Sequence, residues 1–218
     1  MIDSKKFNIL AWKENLVTLA VILICLGLFL VFPTAGGFQK ITSALFFLFI
    51  VPVLYIKLIL KKDLRSFGFS FGNYRAGIFW GLLALAISLL SAYGLIKFTN
   101  FTQASVLPPA VIQNFWMFVF YELVLVNIVF FLQEFFFKGF VLFSFTEKLG
   151  PWSILISFVL FSALSLLEES FSAAIAPSII FSLTSGVVAY KGRSFLYSYA
   201  AGMIFSLILS SYLIYLLK

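Results

Sequence analysis

The polar side chains best placed to do chemistry lie within an apolar stretch running from about Phe115 to Phe145. Glu134 and Lys138 are four residues apart with the acid first, which is the favourable order for an ion pair on a helix. Asn127 precedes Glu134 by seven residues and falls on nearly the same face. Ionisable groups at membrane depth cost roughly 2.5–3.5 kcal/mol each on insertion scales and usually face a protein interior or a wet cavity. The spacing therefore predicts a polar seam of Asn127, Glu134 and Lys138 that links helices or binds a ligand.

Glu122 and Gln133 share a neighbouring face of the same predicted helix. Glu122 lies near the end of the segment, from where its carboxylate is expected to reach toward the membrane surface. The chain has no histidine and a single cysteine, Cys25, which is expected to be a packing residue. A zinc site built from His and Cys needs several such ligands. We therefore predict no metal site and no other cofactor.

The composition is that of a helical membrane protein. Hydrophobic residues make up 63% of the 218 residues and charged residues 11%, against about 45–50% and 25% in soluble domains. Mean hydropathy is +1.12, so lipid must cover part of the apolar surface. The net charge of +7 comes from basic residues between apolar runs, which is typical of topology signals and lipid headgroup contacts. We expect a bilayer as partner, no nucleic acid, and one membrane domain over residues 1–218.

Apolar runs separated by basic or Pro/Gly-rich breaks predict about seven membrane spans in an all-α fold. Pro52 is expected to bend the second span and Gly139 the fourth. The basic segment 61–75 carries Phe67, Phe69 and Phe71 and is expected to lie at the headgroup level. The predicted spans are approximately Asn15–Phe32, Ile41–Leu60, Ala76–Phe98, Asn114–Lys148, Trp152–Leu167, Ala173–Tyr190 and Phe195–Leu217.

The distribution of Lys and Arg predicts an orientation. With the N-terminus inside, the outer segments hold three basic residues, Lys40, Lys97 and Lys218, and Lys138 lies within the fourth span. The inner segments hold Lys5, Lys6, Lys13, Lys57, Lys61, Lys62, Arg65, Arg75, Lys148, Lys191 and Arg193. Positive residues concentrate on the cytoplasmic side of membrane proteins. The chain is therefore predicted to lie in a prokaryotic cytoplasmic membrane, with its N-terminus inside and its C-terminus outside.

The run Gln133-Glu134-Phe135-Phe136-Phe137-Lys138-Gly139 resembles the EExxxRG signature of the CPBP family of membrane-embedded CAAX-type and bacteriocin-processing proteases. In that family the first Glu is the catalytic base, and His residues on two later helices complete the site. The resemblance covers about residues 115–216 and implies a CPBP-like helical core. Gln133 stands at the position of the catalytic base, Glu134 at the second Glu, and Lys138 at the Arg.

The two later motifs also align without their histidines. Phe161 to Ser165 resembles the FxxxH motif, with Ser165 at the His position. In the last span, gapless counting from Ser194 places the expected His at Gly202 and its polar follower at Ser206; a short shift gives Ser206 and Ser210 instead. A Gln amide takes up no proton and a Ser hydroxyl is no base at neutral pH, so neither activates water.

These departures imply a CPBP-like protein that has lost peptidase activity and acts as a membrane binding, scaffold or regulatory protein. Its expected partner is a transmembrane or lipidated peptide, or another membrane protein. One alternative is an active CPBP endopeptidase with unorthodox residues. A second is a small transporter component using the Asn127, Glu134 and Lys138 seam, although no internal repeat supports it.

Overall fold

The computed structural model describes residues 4–33, 37–99, 101, 107–168 and 175–217. Within these residues the structure is helical, with no strand, which confirms the all-α prediction. Helix α2 comprises Gly37–Ala44, Leu45–Ile50, Val51–Leu54 and Tyr55–Ile59, and α5 comprises Phe115–Phe120, Tyr121–Val126, Asn127–Glu134, Phe135–Val141 and Leu142–Leu149. The other helices are α1 (Ser4–Val31), α3 (Tyr74–Phe98), α4 (Pro109–Gln113), α6 (Trp152–Glu168), α7 (Ala176–Gly192) and α8 (Phe195–Leu217).

Among the described residues, five helices are long and apolar enough to cross a membrane, by length and composition: α1, α2, α3, α5 and α8. Side chains such as Leu82, Leu90 and Val159 are more than half exposed, and a bilayer is the solvent that suits them. The chain is therefore an integral membrane protein. The fifth and sixth predicted spans correspond to α6 and α7, which have 17 residues each, at the short end of the range for a spanning helix. The predicted start of the sixth span, Ala173, lies outside the described residues.

Helices α2 and α5 depart from regular α geometry. In α2, wider π-type segments flank Val51–Leu54, which contains Pro52; proline lacks the N–H that a regular helix needs there. In α5, π-type turns occur at Tyr121–Val126 and at Phe135–Val141, the second including Gly139. Both predicted positions therefore lie in or next to π-type segments, and the bends themselves stay predictions. Single π turns in long helices often accompany functional sites.

The phenylalanines of α5 form the centre of the core. Phe135, Phe136, Phe137 and Phe140 are each at most 1% exposed, and burying a side chain of this kind contributes about 1.5–3 kcal/mol. Phe67, in the 3₁₀ turn Leu64–Phe67, is also buried and packs against Phe140.

The headgroup location predicted for segment 61–75 is therefore wrong for two of its phenylalanines. Phe67 is buried in the core, and Phe69 packs against Phe135 and Phe195. Only Phe71, at 75% exposed, is placed as expected. Contacts with other side chains keep these two rings away from water just as lipid would.

Helix α3 packs on α7 and α8 through small residues. Gly77, Gly81, Ala84, Ser88 and Ala92 are its buried positions, spaced three or four residues apart. A Cβ at Gly77 would lie 2.3 Å from the ring of Tyr197 on α8. This close approach of helices through small side chains is the usual packing mode in membranes.

The basic segments meet at one end of the bundle. Lys62 pairs with Glu14 at 2.9 Å, and the Asn73 N–H donates to the Gly192 carbonyl at 2.8 Å. Asp63 accepts the Arg65 N–H and pairs with Lys57, and together these hold the pKa of the Asp63 carboxyl below its ordinary value. This arrangement gathers inner segments of the predicted topology at one end; the orientation itself stays a prediction. The side chains of Lys5, Lys6, Lys13 and Lys218 lie outside the described part.

Candidate functional site

Lys138 is held between three helices. Its side chain is 1% exposed, and Nζ donates to the Ser182 carbonyl at 2.8 Å, to Ser182 Oγ at 2.9 Å and to Ser157 Oγ at 3.3 Å. Ser157 in turn donates to the Phe137 carbonyl at 2.8 Å. The three protons of an ammonium group are thus all used. Lys138 ties α5 to α6 and α7.

Glu134 is bound by serines of α7 and α8. It is 5% exposed and accepts hydrogen bonds from Ser198 Oγ at 2.5 Å and from Ser185 Oγ at 3.5 Å. The predicted direct ion pair with Lys138 is wrong: within the described residues, no carboxylate oxygen of Glu134 lies within 4.0 Å of Lys138 Nζ. The two side chains are connected indirectly, because Ser185 Oγ and Lys138 Nζ both donate to the Ser182 carbonyl.

A ladder of hydroxyls on α8 faces the polar side chains of α5. Ser198 donates to Glu134, and the Tyr199 hydroxyl donates to Asn127 Oδ1. Asn127 and Glu134 therefore share the face predicted from their spacing, and this face is directed at α8.

Glu122 belongs to the same ladder. It is 1% exposed, and its Oε2 accepts a hydrogen bond from Ser206 at 3.1 Å. The expectation that this carboxylate reaches the membrane surface is therefore wrong. The reason is that the wider turn at Tyr121–Val126 and the hydroxyl of Ser206 hold it inside the bundle.

A cavity of about 620 Å³, which we call the α5 cavity, lies between α1, α2, α5, α6, α7 and α8. It follows α5 from Tyr121 to Gln133, a run of roughly 18 Å at 1.5 Å per residue. Two of its lining residues, Lys40 and Glu168, form an ion pair at 2.7 Å. Its mainly apolar wall includes Phe29, Ile41, Leu125, Val129, Phe130 and Phe205.

Three of the residues aligned with catalytic motifs line this cavity: Gln133, Gly202 and Ser206. Two others, Glu134 and Lys138, are buried behind it, although Ser182 both lines the cavity and binds Lys138. Asn127 and Ser165 do not line it either.

Gly202 leaves no room for a side chain. A Cβ there would lie 2.1 Å from Phe130 Cζ and 2.8 Å from Phe181 Cε1. A histidine at this position would require Phe130 to move. The gapless alignment of the third motif therefore falls on a residue that packs by having no side chain.

Within the described residues, no group of three or more His, Cys, Asp or Glu side chains is placed to hold a metal ion. Comparisons with protein-family models, with curated proteins and with solved structures gave no match. The function must therefore be argued from this site alone.

Sequence reasoning missed the partners of the seam. Ser157, Ser182, Ser185 and Ser198 are each at most 2% exposed, and they hold both buried charges. Serines are common at helix contacts in membranes, so their type alone gave no signal. The spacing of Ser182 and Ser185, three residues apart on one helix face, was the available clue.

Proposed function

We propose that this chain is a CPBP-like membrane protein that binds the apolar part of a peptide or its lipid chain in the α5 cavity without hydrolysing it. The observation that carries the proposal is that Gln133, Gly202 and Ser206, which come from motifs on two distant helices, line one cavity. A cavity at the former site of chemistry can keep its ligand after the chemistry is lost.

The lining chemistry supports binding without hydrolysis. Catalysed attack of water on an amide, without a covalent intermediate, needs a base and donors for the developing oxyanion. Gln133 offers an amide, Ser206 a hydroxyl that already binds Glu122, and Gly202 no side chain. The chain supplies no histidine to replace them.

The dimensions favour an extended ligand. Five residues of extended chain span about 18 Å, which matches the run of α5 along the cavity, and the wall is mainly apolar. The favoured ligand is therefore a lipid chain or an extended apolar peptide segment.

The test is binding of a fluorescent farnesylated tetrapeptide to the protein in nanodiscs, with the same peptide lacking its farnesyl group as reference. Val126 lines the cavity, whereas Val124, two residues away, is 38% exposed outside it. Val126→Phe should narrow the cavity and weaken saturable binding of the farnesylated peptide. Val124→Phe, the matched control, should leave it intact.

The recovered peptide should be intact by mass spectrometry after prolonged incubation. Cleavage by the wild type that Gln133→Ala abolishes would refute the loss of activity. Binding that is absent, or that survives Val126→Phe unchanged, would refute the cavity as the binding site.

A further inference from the structure

Glu122 is a buried carboxylate without a cationic partner in the described chain. It is 1% exposed, and its hydrogen-bond partner is the neutral hydroxyl of Ser206, which binds Oε2. Its other oxygen, Oε1, accepts no hydrogen bond from the described residues. Moving a lone carboxylate out of water costs several kcal/mol, so buried charges are normally paired.

The nearby cations are already engaged. Lys40 pairs with Glu168 at 2.7 Å. Lys138, four residues after Glu134 on α5, donates hydrogen bonds to Ser157 and Ser182. Among the described residues, Lys40 and Lys138 are therefore engaged elsewhere, and no ammonium group forms an ion pair with Glu122.

Glu122 is adjacent to the α5 cavity. The preceding residue Tyr121, the residue one turn on, Leu125, and its hydrogen-bond partner Ser206 all line that cavity. Glu122 itself does not line the cavity, and Ser206 is the lining residue that contacts its carboxylate, so a positive group on a ligand would approach Glu122 beside Ser206. The rest of the wall is mainly apolar, so the same ligand needs an apolar chain.

We propose that the α5 cavity takes an apolar chain bearing a primary ammonium group, and that this group pairs with Glu122. The inference rests on the cavity binding proposed above and adds the charge of the ligand. The ammonium group supplies the three donors and the positive charge that the protein itself does not place there.

The experiment compares three tritiated C12 chains that differ only in the head group: dodecylamine, dodecanol and dodecanoate. Each is titrated at pH 7 against the protein in nanodiscs of zwitterionic lipid, with empty nanodiscs subtracted. A charge-assisted hydrogen bond is about twice as strong as a neutral one. We expect the amine to bind at least about tenfold more tightly than the alcohol, and the carboxylate most weakly.

Glu122→Gln should remove the preference for the amine while retaining binding of the alcohol, because the amide keeps the size and the hydrogen bond to Ser206. Glu147→Gln, an exposed carboxylate on the same helix, is the matched control and should keep the preference. If Glu122→Gln does not fold, absence of a preference for the amine in the wild type still overturns the inference.

The inference is overturned if the wild type does not prefer the amine, or if the preference survives Glu122→Gln. If all three chains bind equally and Val126→Phe weakens their binding, the inferred charge of the ligand is wrong. The proposed binding in the cavity is then still supported. Failure of every chain to bind, together with failure of the farnesylated peptide, would overturn both proposals.

Discussion

Replacing Lys138 with methionine tests how the buried seam is stabilised. Lys138→Met keeps the length of the side chain and removes the charge and all three donors. The serines lose little, since Ser157 still donates to the Phe137 carbonyl and the Ser182 carbonyl still accepts from Ser185. The larger cost is expected at Glu134, whose buried carboxylate loses the nearby positive charge.

The magnitude follows from Coulomb's law. Two opposite charges beyond the 4.0 Å of a direct ion pair, at roughly 6 Å, attract each other by about 3 kcal/mol at an effective dielectric constant of about 20. Stranding one member of a buried charge pair typically costs about 3–5 kcal/mol. We therefore expect Lys138→Met to lower the free energy of unfolding by about 3–5 kcal/mol. The double change Glu134→Gln with Lys138→Met should cost less than Lys138→Met alone.

Unfolding in mixed detergent micelles measures these differences. The control is Lys97→Met, because Lys97 is exposed and contacts the rings of Tyr93 and Phe98; it should change stability by less than about 1 kcal/mol. The reasoning is refuted if Lys138→Met is as silent as Lys97→Met. It is also refuted if the double change costs as much as the two single changes added together.

Two further predictions concern packing and topology. Gly77→Ala should destabilise the protein by about 1–3 kcal/mol, because its Cβ would overlap the Tyr197 ring, whereas Gly94→Ala, with open space around it, should be neutral or slightly stabilising; equal effects in the same unfolding assay would contradict the close α3–α8 contact. In a Cys25→Ser background, Ser66→Cys should be blocked only by thiol reagents that enter intact cells. Ala110→Cys should also be blocked by reagents that do not enter. Labelling with the sides reversed would overturn the predicted orientation.

The helices were predictable because lipid imposes a simple rule on sequence. A chain in hydrocarbon must satisfy its backbone hydrogen bonds internally, so each long apolar run marks a helix. The predicted span Phe195–Leu217 coincides with α8, and the predicted span Asn15–Phe32 ends within one residue of α1 (Ser4–Val31), which begins eleven residues earlier. Pro52 lies between the two π-type segments of α2, and Gly139 lies within a π-type segment of α5.

The partners of the polar groups were not predictable in the same way. The spacing of Glu134 and Lys138 assumes regular α geometry, but Phe135–Val141 is a π-type segment, which alters the direction of Lys138 relative to Glu134. The choice between a direct pair and separate serine partners depends on how closely α6, α7 and α8 approach. That approach is a tertiary property, and small residues permit it without specifying it.

The predicted position of Phe67 and Phe69 was wrong for a related reason. An aromatic side chain next to basic residues satisfies the pattern of a membrane-surface segment, but the same ring is equally excluded from water when it packs on Phe140 or Phe195. Hydropathy measures exclusion from water and does not distinguish lipid from protein as the solvent. The missing side chain of Gly139 leaves space for the turn that contains Phe67. A Cβ at Gly139 would lie 3.1 Å from the Phe67 carbonyl oxygen.

The neighbouring residues Gln133 and Glu134 separate binding from stability. Successive residues on a helix point about 100° apart, at 3.6 residues per turn, so Gln133 lines the α5 cavity while Glu134 is enclosed by Ser185 and Ser198. A change at Gln133 therefore alters the cavity wall without breaking the bonds that join α5 to α7 and α8. This is the physical reason that residue 133 can change while the bundle stays intact, and it is what lets the proposed ligand site be tested apart from stability.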